Sequence, residues 1–269
     1  MSLAIAEPDR PLADDHAGHL LRHWRSARRL SQAELADRAQ VSPRHLSCVE
    51  TGRANPSPEL LISLGIALDM PLRERNRLLL AAGHAPRYKD RSLDSADLRA
   101  VRDTLRRVLD AHQPHPGLVL DRQWNVLMAN EAALGLARLL PAFLTQPVMN
   151  VFRASLHPQG LAAHMANFAE FASAMLVSLR RAIAVSGDLE LMALEAEILA
   201  WPNVRALHAA GPLPPAGAAP MVIPCVLDLP TGRVAWFTTI SVFGTPQEVL
   251  LDEISIELFS NTTLSSAMP

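Results

Sequence analysis

Few of the residues that build disulfide frameworks occur in this sequence. The two cysteines among its 269 residues, Cys48 and Cys225, lie far apart and form no metal-binding spacing. The opening segment MSLAIAEPDRPLADD is acidic and lacks the basic and apolar regions of a signal peptide. A reduced cytosolic protein is the simplest interpretation, so we expect a cytoplasmic location.

Long apolar runs and catalytic motifs are also missing. Apolar residues make up 49% of the sequence, which is ample for packed cores, but no run could span a bilayer, so no membrane partner is expected. There is no GxSxG elbow, P-loop, HExxH or CxxC. His112 and His115 stand among prolines without a third metal ligand, and Glu195 and Glu197 face different directions on a predicted helix. We therefore expect neither an enzyme nor a metal site.

Positive charge is concentrated in one part of the chain, although the formal net charge is only −2. Residues 18–91 carry thirteen basic and seven acidic side chains, whereas residues 92–269 carry eleven basic and sixteen acidic side chains. Taken alone, this charge would be explained better by a basic helix surface exposed to solvent. Because phosphate contacts supply most non-specific affinity for nucleic acid, the charge favours DNA binding where it coincides with a DNA-reading motif.

Such a motif is present in residues 30–56, LSQAELADRAQVSPRHLSCVETGRANP. Ser31 and Glu34 form a capping box at the start of a first short helix. After a tight turn, Ser42 can cap a second helix, and Pro43 occupies its first position, where a missing N–H costs nothing. Two short helices joined in this way are typical of a helix-turn-helix, whose second helix enters the DNA major groove.

Leu20 to Gly83 resembles the five-helix DNA-binding domain of lambda-repressor-like or XRE-type regulators. SQAELA, VSPRHLSCVETGR and NPSPELL follow in the expected order and spacing. Gln40 departs from the family, which usually has glycine in the turn, and in a left-handed conformation glutamine costs roughly 1 kcal/mol more than glycine. We assign residues 18–83 to this domain, residues 1–17 to a disordered or arm-like start, and residues 84–97 to a polar linker.

The expected DNA contacts lie on and around the second helix of the motif. Leu46 and Val49 should point inward, and Glu50 should pair with a helix end or an arginine. The candidate DNA-binding residues are Gln32, Ser42, Arg44, His45, Ser47, Cys48, Thr51 and Arg53. Because one such helix buries too little surface for specific affinity, we expect a homodimer on a near-palindromic duplex site.

These candidates have different expected roles. Arg44 can bind guanine O6 and N7 bidentately and is the main predicted base reader, with a phosphate contact as the open alternative. His45 is expected to contact phosphate or to stack on a neighbour. The resemblance implies that Gln32 contacts phosphate and braces the second helix. Thr51 and Arg53 are expected to contact the DNA backbone.

From Leu98 onward the pattern becomes mixed. Predicted strands cover residues 117–121, 124–129, 221–229 and 233–243, and predicted helices cover residues 98–112, about 131–140, 159–183 and 188–200. Residues 202–220 form a Pro- and Ala-rich loop, and residues 250–259 fit a strand or a helix. This order is that of a PAS-like domain, in which helices cover one face of an antiparallel sheet and the space between can hold a ligand. The fold class is therefore an α domain followed by an α+β domain.

A second resemblance covers this region. GLVLDRQWNVLMAN, PVMNVFRASLHPQGLAAHMANFAEF and SVFGTPQEVLLDEISIELF are similar to the ligand-binding domain of MmyB-like transcription regulators. The resemblance implies a PAS-like domain over residues 98–260 and a fatty acid or similar apolar molecule as effector. After Phe259 the chain reads SNTTLSSAMP, where the family more often continues with phenylalanine, proline and acidic residues, so residues 261–269 are assigned to a tail.

The expected ligand-binding residues are aromatic, amide and cationic side chains within these motifs, namely Trp124, Met128, Asn130, Asn150, Arg153, Phe168 and Trp236. Arg153 can pair with a carboxylate head group. The apolar members fit ordinary core packing as well, Asn130 can cap the helix that starts at Glu131, and Asn150 can bind backbone in a turn. No cofactor other than a bound apolar molecule is expected. The alternative is a ligand-free interaction or dimerisation module with a filled core.

Overall fold

The computed structural model describes residues 16–209 and 223–262. Of these, residues 16–90 together with Gln247–Val249 form one compact unit, and residues 91–209, 223–246 and 250–262 form the other. Most of the predicted N-terminal arm, the end of the Pro- and Ala-rich loop and most of the tail lie outside the described residues.

Five helices build the first unit. They are α1 (Ala17–Ala27), α2 (Gln32–Arg38), α3 (Pro43–Glu50), α4 (Pro58–Ala67) and α5 (Leu72–Ala81). The hydroxyl groups of Ser31, Ser42 and Ser57 cap α2, α3 and α4, and the capping box between Ser31 and Glu34 is confirmed. Fully buried leucines from all five helices form the core, among them Leu21, Leu35, Leu46, Leu64 and Leu78.

The turn between α2 and α3 contains Gln40 in the left-handed region, with φ +55°. This is the conformation in which glutamine is less favourable than glycine. The Gln40 side-chain amide donates a hydrogen bond to the carbonyl oxygen of Asp37 at 2.8 Å, which partly offsets the cost. The motif therefore retains its geometry without the usual glycine.

Beyond residue 98 the chain alternates between helices and strands. The helices are α6 (Arg99–Ala111), α7 (Glu131–Ala137), α8 (Ala142–Thr145), α9 (Val151–Leu156), α10 (Phe168–Ser186), α11 (Leu189–Ala200), α12 (Pro202–Ala209) and α13 (Val249–Glu253). The strands are β1 (Gly117–Leu120), β2 (Val126–Ala129), β3 (Cys225–Leu229), β4 (Gly232–Val242) and β5 (Ser255–Asn261). Short 3-10 turns occupy Ala96–Leu98 and Leu161–His164.

Two sequence predictions need correction here, and the structure decides a third that left two alternatives open. The helix predicted over 159–183 begins only at Phe168, because the preceding residues form a 3-10 turn and Met165 bridges to Leu227. The segment predicted as a loop from Pro202 starts with α12, since proline is well tolerated in the first turn of a helix. Residues 250–259 contain both proposed structures, the end of α13 followed by β5.

The five strands form one antiparallel sheet in the order β2-β1-β5-β4-β3, so β5 is central. Alternation along β5 separates two faces. Ile256 and Leu258 pack with Leu105 and Leu109 of α6 on one face. Phe259 lies on the opposite face, together with residues of α7, α9 and α10. An apolar cavity lies between this opposite face and those helices.

Candidate DNA-binding surface and apolar cavity

The outer side of α3 is open to solvent. Arg44 and His45 are exposed, whereas Leu46 and Val49 are buried against the neighbouring helices. The Ser42 hydroxyl accepts a hydrogen bond from the backbone N–H of His45 at 3.2 Å, so it fixes the start of the helix. Within the described residues Arg44 makes no ion pair, and its guanidinium is available to an external partner.

The remaining residues on this side continue the surface to the end of the helix. Ser47 and Cys48 are half-buried, and Thr51 and Arg53 are exposed. The Thr51 hydroxyl donates to the carbonyl oxygen of Ser47 at 2.7 Å and thereby closes the last turn of α3. Like Arg44, Arg53 has no side-chain partner in the part of the chain that the structure describes.

Glu50 fixes α3 in position from its inner side. Its carboxylate is 1% exposed and accepts hydrogen bonds from Arg25 Nε at 2.7 Å, Arg25 Nη2 at 2.9 Å and Gln32 Nε2 at 2.8 Å. Burial by itself raises the pKa of Glu50, but the hydrogen bonds from Arg25 and Gln32 hold that pKa below its usual value. One carboxylate thus joins α1, α2 and α3, and the expected arginine partner is found.

Close contact between α1 and α3 depends on Gly18. A Cβ atom at this position would lie 2.5 Å from the carbonyl oxygen of Val49 and 2.7 Å from that of Glu50. Because both neighbours are backbone atoms that cannot turn aside, any larger side chain would displace the end of α3. Glycine is therefore needed here for close packing and not for an unusual backbone conformation.

The second site is a cavity of about 320 Å³ between the sheet and helices α7, α9 and α10. This volume lies at the lower end of the range of about 300–1,000 Å³ that is usual for small-molecule sites. Most of its wall is apolar and includes Leu118, Leu136, Phe152, Met175, Trp236 and Phe259.

Trp124 contributes to the wall from a strained backbone position. Its φ is +62°, an uncommon conformation for a bulky residue. The Asp121 carboxylate holds the turn by accepting hydrogen bonds from the backbone N–H groups of Gln123 and Asn125, both at 2.8 Å. The Trp124 ring then meets Phe152 edge-on, with 5.0 Å between ring centroids.

Other predicted ligand-binding residues lie elsewhere. Met128 packs on the α6 side of the sheet, and Phe168 packs in the core and is absent from the cavity wall. Arg153 does not face the cavity. Its guanidinium forms a bidentate ion pair with Glu197, with contacts of 2.8–3.0 Å, and both side chains are about 40% exposed.

The two predicted amides belong to the scaffold. Asn130 is 3% exposed, caps α7 through Ala133 and bonds the backbone of Gly117, Leu109 and His115. Asn150 caps α9 and donates to the carbonyl oxygen of Gln123. Both amides are used in full by the fold, so neither is retained as a ligand residue, nor are Arg153, Met128 and Phe168.

A polar group of the cavity was missed at the sequence level. Glu257 of β5 lines the cavity. Burial raises the pKa of Glu257 to about 7, although a hydrogen bond from Thr238 acts to lower that pKa. The pKa of the Cys225 thiol is raised to about 12, mainly by burial and to a smaller extent by the charge of the neighbouring Glu257. This thiol is therefore neutral. The signal was present in the alternation of ISIELF, which places Glu257 on the same face as Phe259.

Two negative findings apply to the described residues, 16–209 and 223–262. They contain no group of three or more histidine, cysteine, aspartate or glutamate side chains placed to hold a metal ion. They also contain no helix with the length and apolar composition needed to cross a membrane.

Family models match both parts of the chain. One, described as MmyB-like transcription regulator ligand binding domain, matches residues 101–267, and another, described as Helix-turn-helix domain, matches residues 16–78. No curated protein matches the chain.

Solved structures match part of the chain. The restriction-modification controller protein C.AhdI from Aeromonas hydrophila is 35% identical and aligns over 22% of this chain and 91% of its own, with a TM-score of 0.22. The clp gene regulator ClgR from Corynebacterium glutamicum is 35% identical over 28% of this chain and 92% of its own, with a TM-score of 0.23.

Proposed function

The chain belongs to the MmyB-like transcription regulators, and we propose that it reads a specific duplex through α3 and senses an apolar small molecule in its C-terminal cavity. It is a DNA-binding regulator of the helix-turn-helix type.

The exposed outer side of α3 carries the DNA part of the proposal. Arg44 stands at the start of the helix, from which a guanidinium can reach guanine O6 and N7. His45, Ser47 and Cys48 extend the same surface, and we propose that Thr51, Arg53 and the Ser42 end of the helix contact phosphates. Gln32 contributes by bracing α3 through Glu50.

Arg44→Ala provides the test. We expect the variant to lose about 1–3 kcal/mol of specific binding and to relax selectivity at one base pair, because a bidentate base contact is removed. The measurement is fluorescence anisotropy with a duplex selected by gel shift from the DNA upstream of the chain's own gene. Arg106→Ala, which removes the same charge from an exposed site on α6, is the matched control and should bind normally. Unchanged selectivity in Arg44→Ala would refute the role of Arg44.

A homodimer on a near-palindromic site completes the DNA proposal. One short helix contacts too few base pairs for specific affinity, and paired recognition helices are spaced by about one DNA turn. The mass of the protein–duplex complex in analytical ultracentrifugation tests this. Two chains per duplex are expected, and a complex of one chain with full specificity would argue against a dimer.

The cavity carries the sensing part of the proposal. A ligand changes DNA affinity only through its different affinities for the DNA-competent and incompetent forms. We propose an apolar effector that is fatty-acid-like in its hydrocarbon part, because Trp124, Trp236 and the other wall residues offer apolar surface. The strand order β2-β1-β5-β4-β3, with helices over the cavity face, supports a PAS-like domain.

The competing function is a ligand-free interaction module, which requires a filled core. A cavity of about 320 Å³ favours the sensor. Organic extraction of the purified full chain followed by mass spectrometry separates the two. A copurifying apolar molecule near one equivalent supports the sensor, while an empty protein that also binds no added apolar molecule supports the module.

A further inference from the structure

The cavity wall contains one carboxylate in an otherwise apolar surface. Glu257 sits on the central strand β5, paired with Leu118 of β1 and Ile240 of β4, and all three face the cavity. The Thr238 hydroxyl hydrogen-bonds this carboxylate. A carboxylate at such a place is costly unless a partner compensates its lost hydration, and one hydroxyl supplies only part of that compensation.

No positive charge in the wall balances Glu257. Among the described residues that line the cavity, it is the only one that carries a full charge. The segment 210–222, AGPLPPAGAAPMV, which directly precedes the wall residue Ile223, contains no charged side chain either. Arg153, the cation expected to hold an anionic head group, is paired with Glu197 away from the cavity.

We infer that the effector carries a head group that donates hydrogen bonds, either an amine or a hydroxyl. Glu257 and Thr238 accept hydrogen bonds from this head group, and the apolar wall contacts the rest of the molecule. This inference rests on the proposed function and narrows its ligand class. It also excludes an ionised carboxylate as the head group at this position.

The physical reason is the low dielectric of the cavity. Two carboxylates that share an apolar site repel strongly, and one of them must take up a proton. An ammonium head instead forms a charge-assisted hydrogen bond with Glu257 and replaces its missing counter-charge. A hydroxyl head donates one hydrogen bond without adding charge. The raised pKa of Glu257 agrees with a carboxylate that lacks such a partner in the empty protein.

Three probes with the same hydrocarbon chain, decylamine, 1-decanol and decanoate, test the head group. Binding to the full chain is measured by isothermal titration calorimetry at about pH 8, where a group with a pKa of about 7 is mostly ionised. We expect decylamine to bind at least about tenfold more tightly than decanoate, since an adjacent opposite charge shifts a pKa by about 1–3 units. 1-Decanol should fall between them.

Three variants test whether the head-group preference arises at Glu257 in the cavity. Glu257→Gln should abolish the preference for decylamine over decanoate, whereas Glu190→Gln, which removes an exposed charge from α11 outside the wall, should keep it. Ala174→Phe fills the cavity from α10 and should weaken all three probes. Should Glu257→Gln fail to fold, the wild-type ranking together with Ala174→Phe still decides the matter.

The possible failures are distinguishable. Equal binding of the three probes, or tighter binding of decanoate, overturns the inference about the head group and leaves the apolar sensor standing. A folded protein that binds none of the probes, or whose binding survives in Ala174→Phe, overturns the inference and removes the cavity from the proposed function as well.

Discussion

Two glutamates, the buried Glu50 in the first unit and the half-buried Glu257 in the second, have opposite environments. Glu50 accepts three hydrogen bonds from Arg25 and Gln32, and these hold its pKa below the usual value. Glu257 has Thr238 as its hydrogen-bonding neighbour, and burial raises its pKa to about 7. In the first unit a glutamate is therefore fully paired and connects three helices, whereas in the second unit a glutamate has no counter-charge among the described cavity residues.

The hydrophobic cores of the two units also differ, because the first is tightly packed and the second contains a cavity. The five helices around Glu50 pack leucines tightly, and Gly18 allows backbone atoms of α1 and α3 to approach closely. The α+β unit instead surrounds an apolar space of about 320 Å³. A surface that must fit a duplex benefits from rigid positioning, whereas a sensor must leave room for its ligand. Substituting each glutamate in turn tests this comparison.

The largest effect is expected from Glu50→Gln. The variant leaves the Arg25 side chain, 14% exposed, without its counter-charge, and breaking one partner of a buried pair costs about 3–5 kcal/mol. Chemical denaturation would measure the loss. Because the folded pKa of Glu50 is lowered, its contribution is present above the unfolded pKa near 4.5 and disappears as the pH falls through the folded value.

A double variant provides the control for Glu50. Arg25→Met combined with Glu50→Leu removes both charges together and should be less destabilised than the sum of the single variants. A loss below about 1 kcal/mol in Glu50→Gln would show that this carboxylate does not join the three helices.

The next effect concerns Glu257 and has the opposite pH dependence. Its pKa is raised from 4.5 to about 7 on folding, so the folded protein binds more protons between these values. The unfolding free energy of the ligand-free protein should therefore fall as the pH rises from about 4.5 to 7. The decline is at most about 3 kcal/mol, and smaller where cavity water solvates the carboxylate.

Glu257→Gln should remove this decline, as measured by denaturant titrations at several pH values. Glu190→Gln, outside the cavity, should retain it. If wild type and Glu257→Gln show the same slope between pH 4.5 and 7, Glu257 does not titrate as described.

Two glycine substitutions compare the packing of the two units. Gly18→Ala should destabilise by about 2 kcal/mol and weaken DNA binding, because the new Cβ meets the Val49 carbonyl oxygen and shifts α3. Gly135→Ala, inside α7 with no atom within 4 Å of its added Cβ, should be neutral or stabilising. Thermal unfolding and duplex binding measure both. Equal tolerance at the two positions would contradict the close contact of α1 with α3.

The smallest effect is a gain. Gln40→Gly should raise the unfolding free energy by up to about 1 kcal/mol, because glycine adopts φ +55° without strain. Loss of the hydrogen bond to Asp37 and the greater freedom of glycine in the unfolded chain reduce this gain. A destabilised Gln40→Gly protein would mean that those two terms outweigh the strain.

The first unit was largely predictable because its signals are local. Ser31, Glu34, Ser42 and Pro43 fix helix ends through contacts within three residues, and the left-handed conformation of Gln40 follows from the required turn. What could not be predicted is that the partner of Glu50 is Arg25. That pairing depends on how α1 lies against α3.

The second unit was less predictable because its site depends on long-range contacts. Arg153 was expected to bind a ligand and is paired with Glu197, 44 positions later in the chain. Asn130 bonds backbone groups up to 21 positions away. Glu257 could not be assigned to the cavity because its segment fits a strand or a helix, and the alternation of ISIELF gives the face of each side chain only when the segment is a strand, as its pairing with β4 shows.

The central claim, that the outer side of α3 contacts DNA, is tested most directly by alkylation of Cys48 in the wild-type protein. Cys48 is half-buried on α3, while the Cys225 thiol is buried, has a pKa of about 12 and is an internal control of low reactivity. We predict that a saturating specific duplex slows iodoacetamide modification of Cys48 by about tenfold or more, through steric exclusion at the interface. An unchanged Cys48 rate in a fully bound complex would contradict the claim.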